Sequence, residues 1–405
     1  MSGILVVAVG SATISGQDHA QHTMPMPAED NAWSFMQDGV VFGLFNHQAG
    51  PRGGDEFRVP NWWMGMATKK TGRSQLTLTS MLSLDPATVG KRGYREIFQV
   101  GEAVDGEPLI DRQHPHDLFM QLGAVWRTPL TATTGLTLAG GPVGEPALGP
   151  VAFMHRASAA EIPMAPLGHH TFDSTHIAFG VVTAAVDHGP FVLEGSVFNG
   201  REPDQDRWDI DFGKLDSVSA RLWYKPAPSW ELQVSTGHLI QPEELEPGNM
   251  VRTTASASWT RQRGTSMSAV MLGYGVNKTD HGTRHAMLAE ATRRKGALAV
   301  FGRFEVLQPE IDLLLRGAGL DPDGKTHALA AFTAGVVRDV TNVRGFEGAV
   351  GGEVTFHAVP EVLRSTHGDH PVSFQLFFRL RLPASMGRMW NMRMSQPPMG
   401  RGMSH

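Results

Sequence analysis

Val372-Ser-Phe-Gln-Leu-Phe-Phe-Arg-Leu-Arg-Leu382 alternates apolar and polar residues almost without a break. Val372, Phe374, Leu376, Phe378, Leu380 and Leu382 fall on one side; Ser373, Gln375, Arg379 and Arg381 fall on the other. A period of two belongs to a β-strand, whose side chains point alternately to opposite faces. About ten tilted residues are enough to cross the hydrocarbon core of a bilayer. Two arginines in mid-strand need water or partners on their side of the sheet.

The same pattern recurs upstream. Leu76, Leu78, Leu82 and Leu84 oppose Gln75, Thr77, Thr79 and Ser83. Val218, Ala220, Leu222 and Tyr224 oppose Ser217, Ser219 and Arg221, and Val251, Ala255, Ala257 and Trp259 oppose Arg252, Thr254, Ser256 and Ser258. Leu298, Val300, Phe304 and Val306 oppose Arg303 and Glu305. Short turn signals at Pro226-Ala-Pro228, Arg263-Gly264 and Lys295-Gly296 alternate with long connections at Asn199–Lys214, Gln241–Met250 and Gln308–Thr326. That rhythm predicts an all-β chain: a closed antiparallel transmembrane β-barrel of about 14–16 strands, with short periplasmic turns and long outer loops. Closure is required because lipid offers no partner for an open strand edge. A soluble β-sandwich would also bury one face of each strand. The charges in mid-strand favour a wet lumen instead. Glu194, Arg221, Arg252, Arg303, Glu305, Arg379 and Arg381 are the expected lumen residues, and their mixed signs predict no strong ion preference.

Composition narrows the classes. The net charge of −5 over 405 residues argues against a nucleic-acid partner. The absence of cysteine excludes disulfides, cysteine-zinc sites and thiol catalysis. No run of 18 apolar residues exists to make a membrane-spanning helix. The apolar run Ile4–Val9 and the small residues after it read as an export signal over 1–16, without the usual basic start. A His/Met-containing segment over 17–32, the barrel over 33–382 and a flexible Met-rich tail over 383–405 complete the expected organisation. One stretch, Pro142–Gly168, is rich in Pro, Gly and Ala and does not alternate. It is too long for a hairpin turn, so it either folds into the lumen or lies outside as a loop.

Two stretches concentrate chemistry: Asp111-Arg-Gln-His-Pro-His-Asp117 and Gly168-His-His-Thr-Phe-Asp-Ser-Thr-His176. The proline between His114 and His116 keeps that chain extended. With His169, His170 and His176 these rings make a candidate metal site, a His–Asp acid/base pair, or a polar network bracing loops. Met389, Met392 and Met394 in the tail add thioethers that suit soft Cu(I). Copper or another divalent metal is the cofactor these donors would take. There is no G-x-S-x-G, H-E-x-x-H or phosphate loop, and no catalytic residue is assigned. The acidic stretch Asn199–Asp211 offers oxygens but not the spacing of a calcium loop.

Over about 33–382 the chain resembles Gram-negative outer-membrane β-barrels of porin-like size, and the two His-rich stretches are similar to those of one group within that class. The resemblance carries over no residue role. The Met/His content of the ends is similar in composition to copper-resistance outer-membrane proteins. Porins end on a strand with a terminal aromatic residue, whereas here a tail follows Leu382. The resemblance implies a place in the bacterial outer membrane, with lipid, lipopolysaccharide and small solutes as partners. The expected work is passage or binding of small solutes, with envelope copper handling as a refinement. The alternatives are an outer-membrane hydrolase using a His/Asp pair and a plugged, structural or metal-sequestering barrel.

Overall fold

The computed structural model describes residues 32–322, 324–383, 386 and 388–395. The export signal expected over 1–16, nearly all of the 17–32 segment, and residues 396–405 lie outside the described residues.

The strands, in chain order, are β1 (Trp33–Gln48), β2 (Gly54–Arg58), β3 (Asn61–Thr71), β4 (Ser74–Leu82), β5 (Tyr94–Val104), β6 (Glu107–Gln113), β7 (Phe119–Pro129), β8 (Thr134–Gly144), β9 (Ala178–His188), β10 (Phe191–Phe198), β11 (Ser217–Ala227), β12 (Trp230–Leu239), β13 (Met250–Arg263), β14 (Ser266–Thr279), β15 (Gly282–Lys295), β16 (Leu298–Leu307), β17 (Leu329–Val343), β18 (Phe346–Ala358) and β19 (Val372–Arg381). Short helices α1 (Asp85–Thr88), α2 (His169–Phe172), α3 (Ile311–Leu314) and α4 (Glu361–His367) sit in the connections.

β2 and β3 both pair with β1 and act as one wall strand interrupted at Val59-Pro60. Proline has no N–H for the ladder, but its carbonyl still accepts from the Phe42 N–H at 3.0 Å. β5 and β6 form a separate hairpin. The wall is therefore a closed antiparallel barrel of 16 strands, each paired with its neighbour, and β1 pairs with β19 from Val40↔Arg381 to His47↔Phe374.

The direction of burial settles which face is which. In β19 the apolar Leu376, Phe378 and Leu380 are exposed at 57%, 45% and 38%, while Ser373, Gln375, Arg379 and Arg381 are buried. A soluble sandwich would bury the opposite set, because exposed apolar area costs about 25 cal/mol per Å² in water. The same inversion runs around the wall, with Leu193, Leu222, Val234, Leu272, Phe304 and Val336 all outside. Lipid is the solvent such an exterior suits. At the short-turn end Trp33, Trp126, Phe191, Tyr224 and Trp230 are exposed near strand ends, and Phe191 stacks on Tyr224 at 4.9 Å. Trp supplies most of this aromatic girdle, and the Phe191–Tyr224 pair adds to it.

The turns at this end are tight. Arg344-Gly345 between β17 and β18 has positive φ at both positions, the conformation a two-residue hairpin needs. The start of β1 and the end of β19 lie at this same end. Most connections at the other end are long, as in 83–118, 145–177, 199–216, 240–249, 308–328 and 359–371.

Three pieces of chain fill and cover the barrel. The connection 145–177, including most of the stretch left open by the sequence, is buried almost throughout inside the wall. The hairpin β5–β6 packs with α3 and α4 across the long-loop mouth, where Ile97 and Phe98 meet Leu314, Leu363 and Phe172. The C-terminal segment 388–395 also enters the barrel. Met389, Met392, Arg393 and Met394 are each at most 8% exposed, in place of the free tail that composition suggests. Its residues are held because the wall supplies partners: Asp38 accepts the Met389 N–H at 3.0 Å, and the Arg393 guanidinium lies 3.8 Å from the Trp223 ring centre.

Candidate functional site

A backbone without regular structure can be buried only if its N–H and C=O groups find partners. For 145–177 the charged inner wall supplies them. Arg221 donates to Glu145 Oε1 and to the Gly149 carbonyl, both at 3.0 Å. Arg252 donates to Ser174 Oγ at 2.8 Å and Arg303 to the Met164 carbonyl at 3.0 Å. Glu305 accepts the Gly168 N–H at 3.1 Å, and Arg381 donates to the Ala160 carbonyl at 2.6 Å. Arg379 is ion-paired with Glu161, and Glu194 receives the Ser395 hydroxyl from the C-terminal segment. All seven charges picked from the sequence as lumen residues are buried, and each one touches a piece of chain folded inside the wall.

Above this plug the two His-rich stretches meet. The ring centres of His114, His169 and His170 lie 5.4–5.6 Å from one another. His176 stands 5.3 Å from His169, and His116 stands 5.6 Å from His176. Each ring is oriented through Nδ1. His114 faces Glu102 at 3.0 Å, His116 faces Asp85 at 3.0 Å, His169 faces Asp173 at 2.8 Å and His170 faces Glu202 at 3.0 Å. His176 donates to the Asp173 carbonyl at 2.8 Å. A ring that donates from Nδ1 leaves Nε2 as a bare lone pair. In His114, His169, His170 and His176 that atom is buried and has no hydrogen-bond partner.

The rest of both motifs is scaffolding. Asp111 accepts from His367 Nε2 at 2.9 Å and from the Phe98 N–H at 2.8 Å, which fixes the hairpin. Arg112 donates to the Arg92 and Gly93 carbonyls. Asp117 and Glu102 both bind the buried Arg207. Asp173 holds Arg156 at 2.6 Å, and Arg156 reaches on to Glu290.

Burial sets the charge states of these loop groups. It lowers His169 and His155 to about 4 from the ordinary 6.5, against the pull of Asp173 on His169 and of Asp38 on His155. Burial also lowers His114, His170 and His176. It would raise Asp173, but the neighbouring Arg156 overrides it and holds that carboxylate well below the usual range. Burial pushes Glu202 up to about 7, with the Glu102 charge adding, and raises Glu243 well above its ordinary value, with the Glu202 charge adding.

A pH dependence follows. Folded His169 and His155 stay neutral down to about 4, whereas the unfolded chain protonates them near 6.5. Their contribution is complete above 6.5 and is lost as pH falls from there to about 4. At pH 5 the loss is roughly 2 kcal/mol per ring. Urea unfolding in detergent at pH 7.5 and pH 5 measures it. His169→Gln flattens the profile; an unchanged slope would refute the assignment.

Among the described residues, two groups bring three donors within 4.8 Å of one another: His170 with Glu202 and Glu243, and Asp204 with Asp209 and Asp211. Of the metal candidates read from the sequence, His170 alone belongs to such a group. His114, His116, His169 and His176 form ring contacts without converging on one point. Met389 and Met392 lie elsewhere, in a cluster with Met64, Met66, Met81 and Met120. Met394 packs beside it with Val125 and Ala139. Among the described residues, no serine or threonine hydroxyl is hydrogen-bonded to the Nε2 atom of His114, His169, His170 or His176. Sequence reading missed Glu102, Asp85, Glu202 and Glu243 as partners of the rings; only Glu202 stood in a stretch already marked as acidic.

The fold and exterior define the class: a transmembrane β-barrel of the bacterial outer-membrane type. Solved structures agree on the fold. An anion-selective porin from Comamonas acidovorans matches with TM-score 0.52 at 10% identity, over 87% of this chain and all of that one. An OmpF of Salmonella typhi in complex with daunomycin matches at 0.51 and 8%, over 89% of this chain and all of that one. OprB of Pseudomonas putida matches at 0.52 and 9%, over 86% of this chain and 94% of that one. No protein-family model and no curated relative matches the chain.

Proposed function

We propose that this barrel passes small solutes across the outer membrane through a narrow, controlled path rather than a wide pore. The observation that carries this reading is how the interior is filled. The segments 145–177 and 388–395 pack apolar side chains on the wall but are also tied to it through charged and hydroxyl groups, which water and solutes can replace. A void beside Glu96, Arg303, Glu305 and Glu353 measures about 30 Å³, room for a water or two. The resting conformation is therefore close to shut. The apolar run at 4–9 fits export, and the acidic residues of 199–216 would face lipopolysaccharide through bridging cations. Single-channel recording in planar bilayers tests the reading. The full chain gives small, brief openings; complete silence at all voltages, in the full chain and in a chain lacking 388–405, would identify a sealed structural barrel.

One observation favours a soft-metal refinement. Met64, Met66, Met81, Met120, Met389 and Met392 share one buried cluster, with Met36 and Met154 at its edge. Thioethers select Cu(I) and Ag(I), although methionine also fills irregular cores. Replacing Met64, Met66 and Met389 together by leucine keeps the volume. Loss of bound Ag(I) in that variant supports the refinement, and equal binding removes it.

A further inference from the structure

We propose that His170, Glu202 and Glu243 form a binding site for a divalent transition-metal cation of the Zn²⁺ type, tying three loops together at the outer mouth. One donor comes from each of three separate segments: 145–177, 199–216 and 240–249. Their ligand atoms lie within 4.8 Å of one another. His170 Nδ1 and Glu202 Oε1 are already 3.0 Å apart. Two donors on one tetrahedral zinc ion, each about 2.0–2.1 Å from it, stand about 3.3 Å apart.

The scaffold around the donors is built. The Glu202 N–H donates to the Pro242 carbonyl at 2.9 Å, which places Glu243 beside Glu202. Asn277 Nδ2 donates to the His170 carbonyl at 2.9 Å. The His170 ring rests on Gly101, whose positive φ and missing Cβ leave room for it; any side chain there would overlap the imidazole. These are the outer contacts that hold a ligand ring in place.

A second observation points to a missing ligand. Glu202 Oε2 is buried without a hydrogen-bond partner in a side chain 13% exposed, and zinc would take the place of the proton between His170 Nδ1 and Glu202 Oε1. A buried carboxylate oxygen with no donor is costly, and a cation held between Glu202 and Glu243 would satisfy it. Two carboxylates supply the opposite charge. Arg252 stands near but is committed to Ser174 Oγ and Asn277 Oδ1. The donor set of one imidazole and two carboxylates suits Zn²⁺ better than Mg²⁺ or Ca²⁺, which prefer oxygen alone, and better than Cu(I), which prefers sulfur.

Equilibrium dialysis of the purified full-length chain in detergent against Zn²⁺ tests the site, with heat-dependent gel migration showing that each variant has folded. Wild type binds one Zn²⁺ more per chain than Glu243→Gln and than Glu202→Gln. Asp209→Asn, in the exposed acidic trio, keeps the wild-type stoichiometry. Should either Glu variant fail to fold, His170→Gln replaces it and shows the same loss. Equal stoichiometry in wild type and all three site variants overturns the proposal, and so does a loss confined to Asp209→Asn. Conductance does not enter this measurement, so its outcome is independent of the channel reading.

Discussion

Replacing Glu161 by alanine destabilises the folded barrel by about 3–5 kcal/mol, the range for removing one partner of a buried ion pair. Glu161 is fully buried in the middle of the inward-folded segment. Its Oε1 accepts from Arg294 at 2.5 Å and lies 3.8 Å from Arg381, and its Oε2 receives Arg379. Arg294 and Arg379 share one other carboxylate, Asp339, at 2.5 and 2.6 Å. Without Glu161, Arg294 and Arg379 must share Asp339, and Arg381 keeps only the more distant charges of Asp38, Glu347 and Asp339. The wall strands supply all three arginines, so the strain falls on the barrel as well as on the segment. Glu161→Gln keeps the shape and an acceptor oxygen and therefore loses less. The pair Arg127–Asp187 is the contrast: its side chains are 31% and 26% exposed, and Asp187→Ala costs about 0–1 kcal/mol. Urea unfolding of detergent-refolded protein, followed by tryptophan fluorescence, ranks the three. A Glu161→Ala loss no larger than that of Asp187→Ala would show that segment 145–177 is not anchored where the structure places it.

That ranking also marks where sequence reading stops. The wall was legible because β-strand alternation is local: Val372–Leu382 announces its two faces within eleven consecutive positions. Arginines in mid-strand then showed which face avoids lipid, and the structure buries Arg379 and Arg381 accordingly. What those arginines hold was not legible. Arg379 and Glu161 are 218 positions apart, and Ser395 and Glu194 are 201 apart. No local period encodes such pairs. The small-residue composition of Pro142–Gly168 fits either a packed interior segment or an exposed loop, and only the matching of its carbonyls to wall donors decides between them. The imidazole array was half legible. Its rings stood out as residue types, but the carboxylates that orient them, Asp85, Glu102 and Glu202, come from other loops. The C-terminal segment misled for a related reason. Methionine-rich composition without period looks unstructured, yet Met389, Met392 and Met394 find partners on β3, β4, β7 and β8 that only closure of the barrel brings near.

A chain ending at Leu382 opens the barrel: its single-channel conductance rises several-fold over that of the full chain, and its selectivity moves toward cations. The segment 388–395 runs across the interior from one side of the wall to the other. Arg388 joins Asp38 at 3.5 Å and Glu347 at 2.7 Å, and Trp390 packs against Ala157, Ala160, Met267 and Ala269. The Asn391 N–H donates to the His155 carbonyl at 2.6 Å, which ties this segment to 145–177. Arg393 then lies over Trp223 with Glu194 and Glu231 each 3.7 Å away. Truncation removes this obstruction together with two interior positive charges. It leaves Asp38, Glu347, Glu194 and Glu231 facing the vacated space; Glu194 keeps Arg221 at 2.7 Å and Trp223 Nε1 at 2.8 Å, and Glu231 keeps Lys225 at 2.7 Å. Losing two positive charges makes the lining more negative, most of all at Asp38 and Glu347, and a more negative constriction favours cations, so the reversal potential in a salt gradient shifts in that direction. The segment also braces 145–177 through His155, so its loss loosens the second obstruction as well. Equal conductance and an unmoved reversal potential, in a truncated chain shown to be folded, would place the resistance elsewhere, in segment 145–177 or in the loops over the mouth.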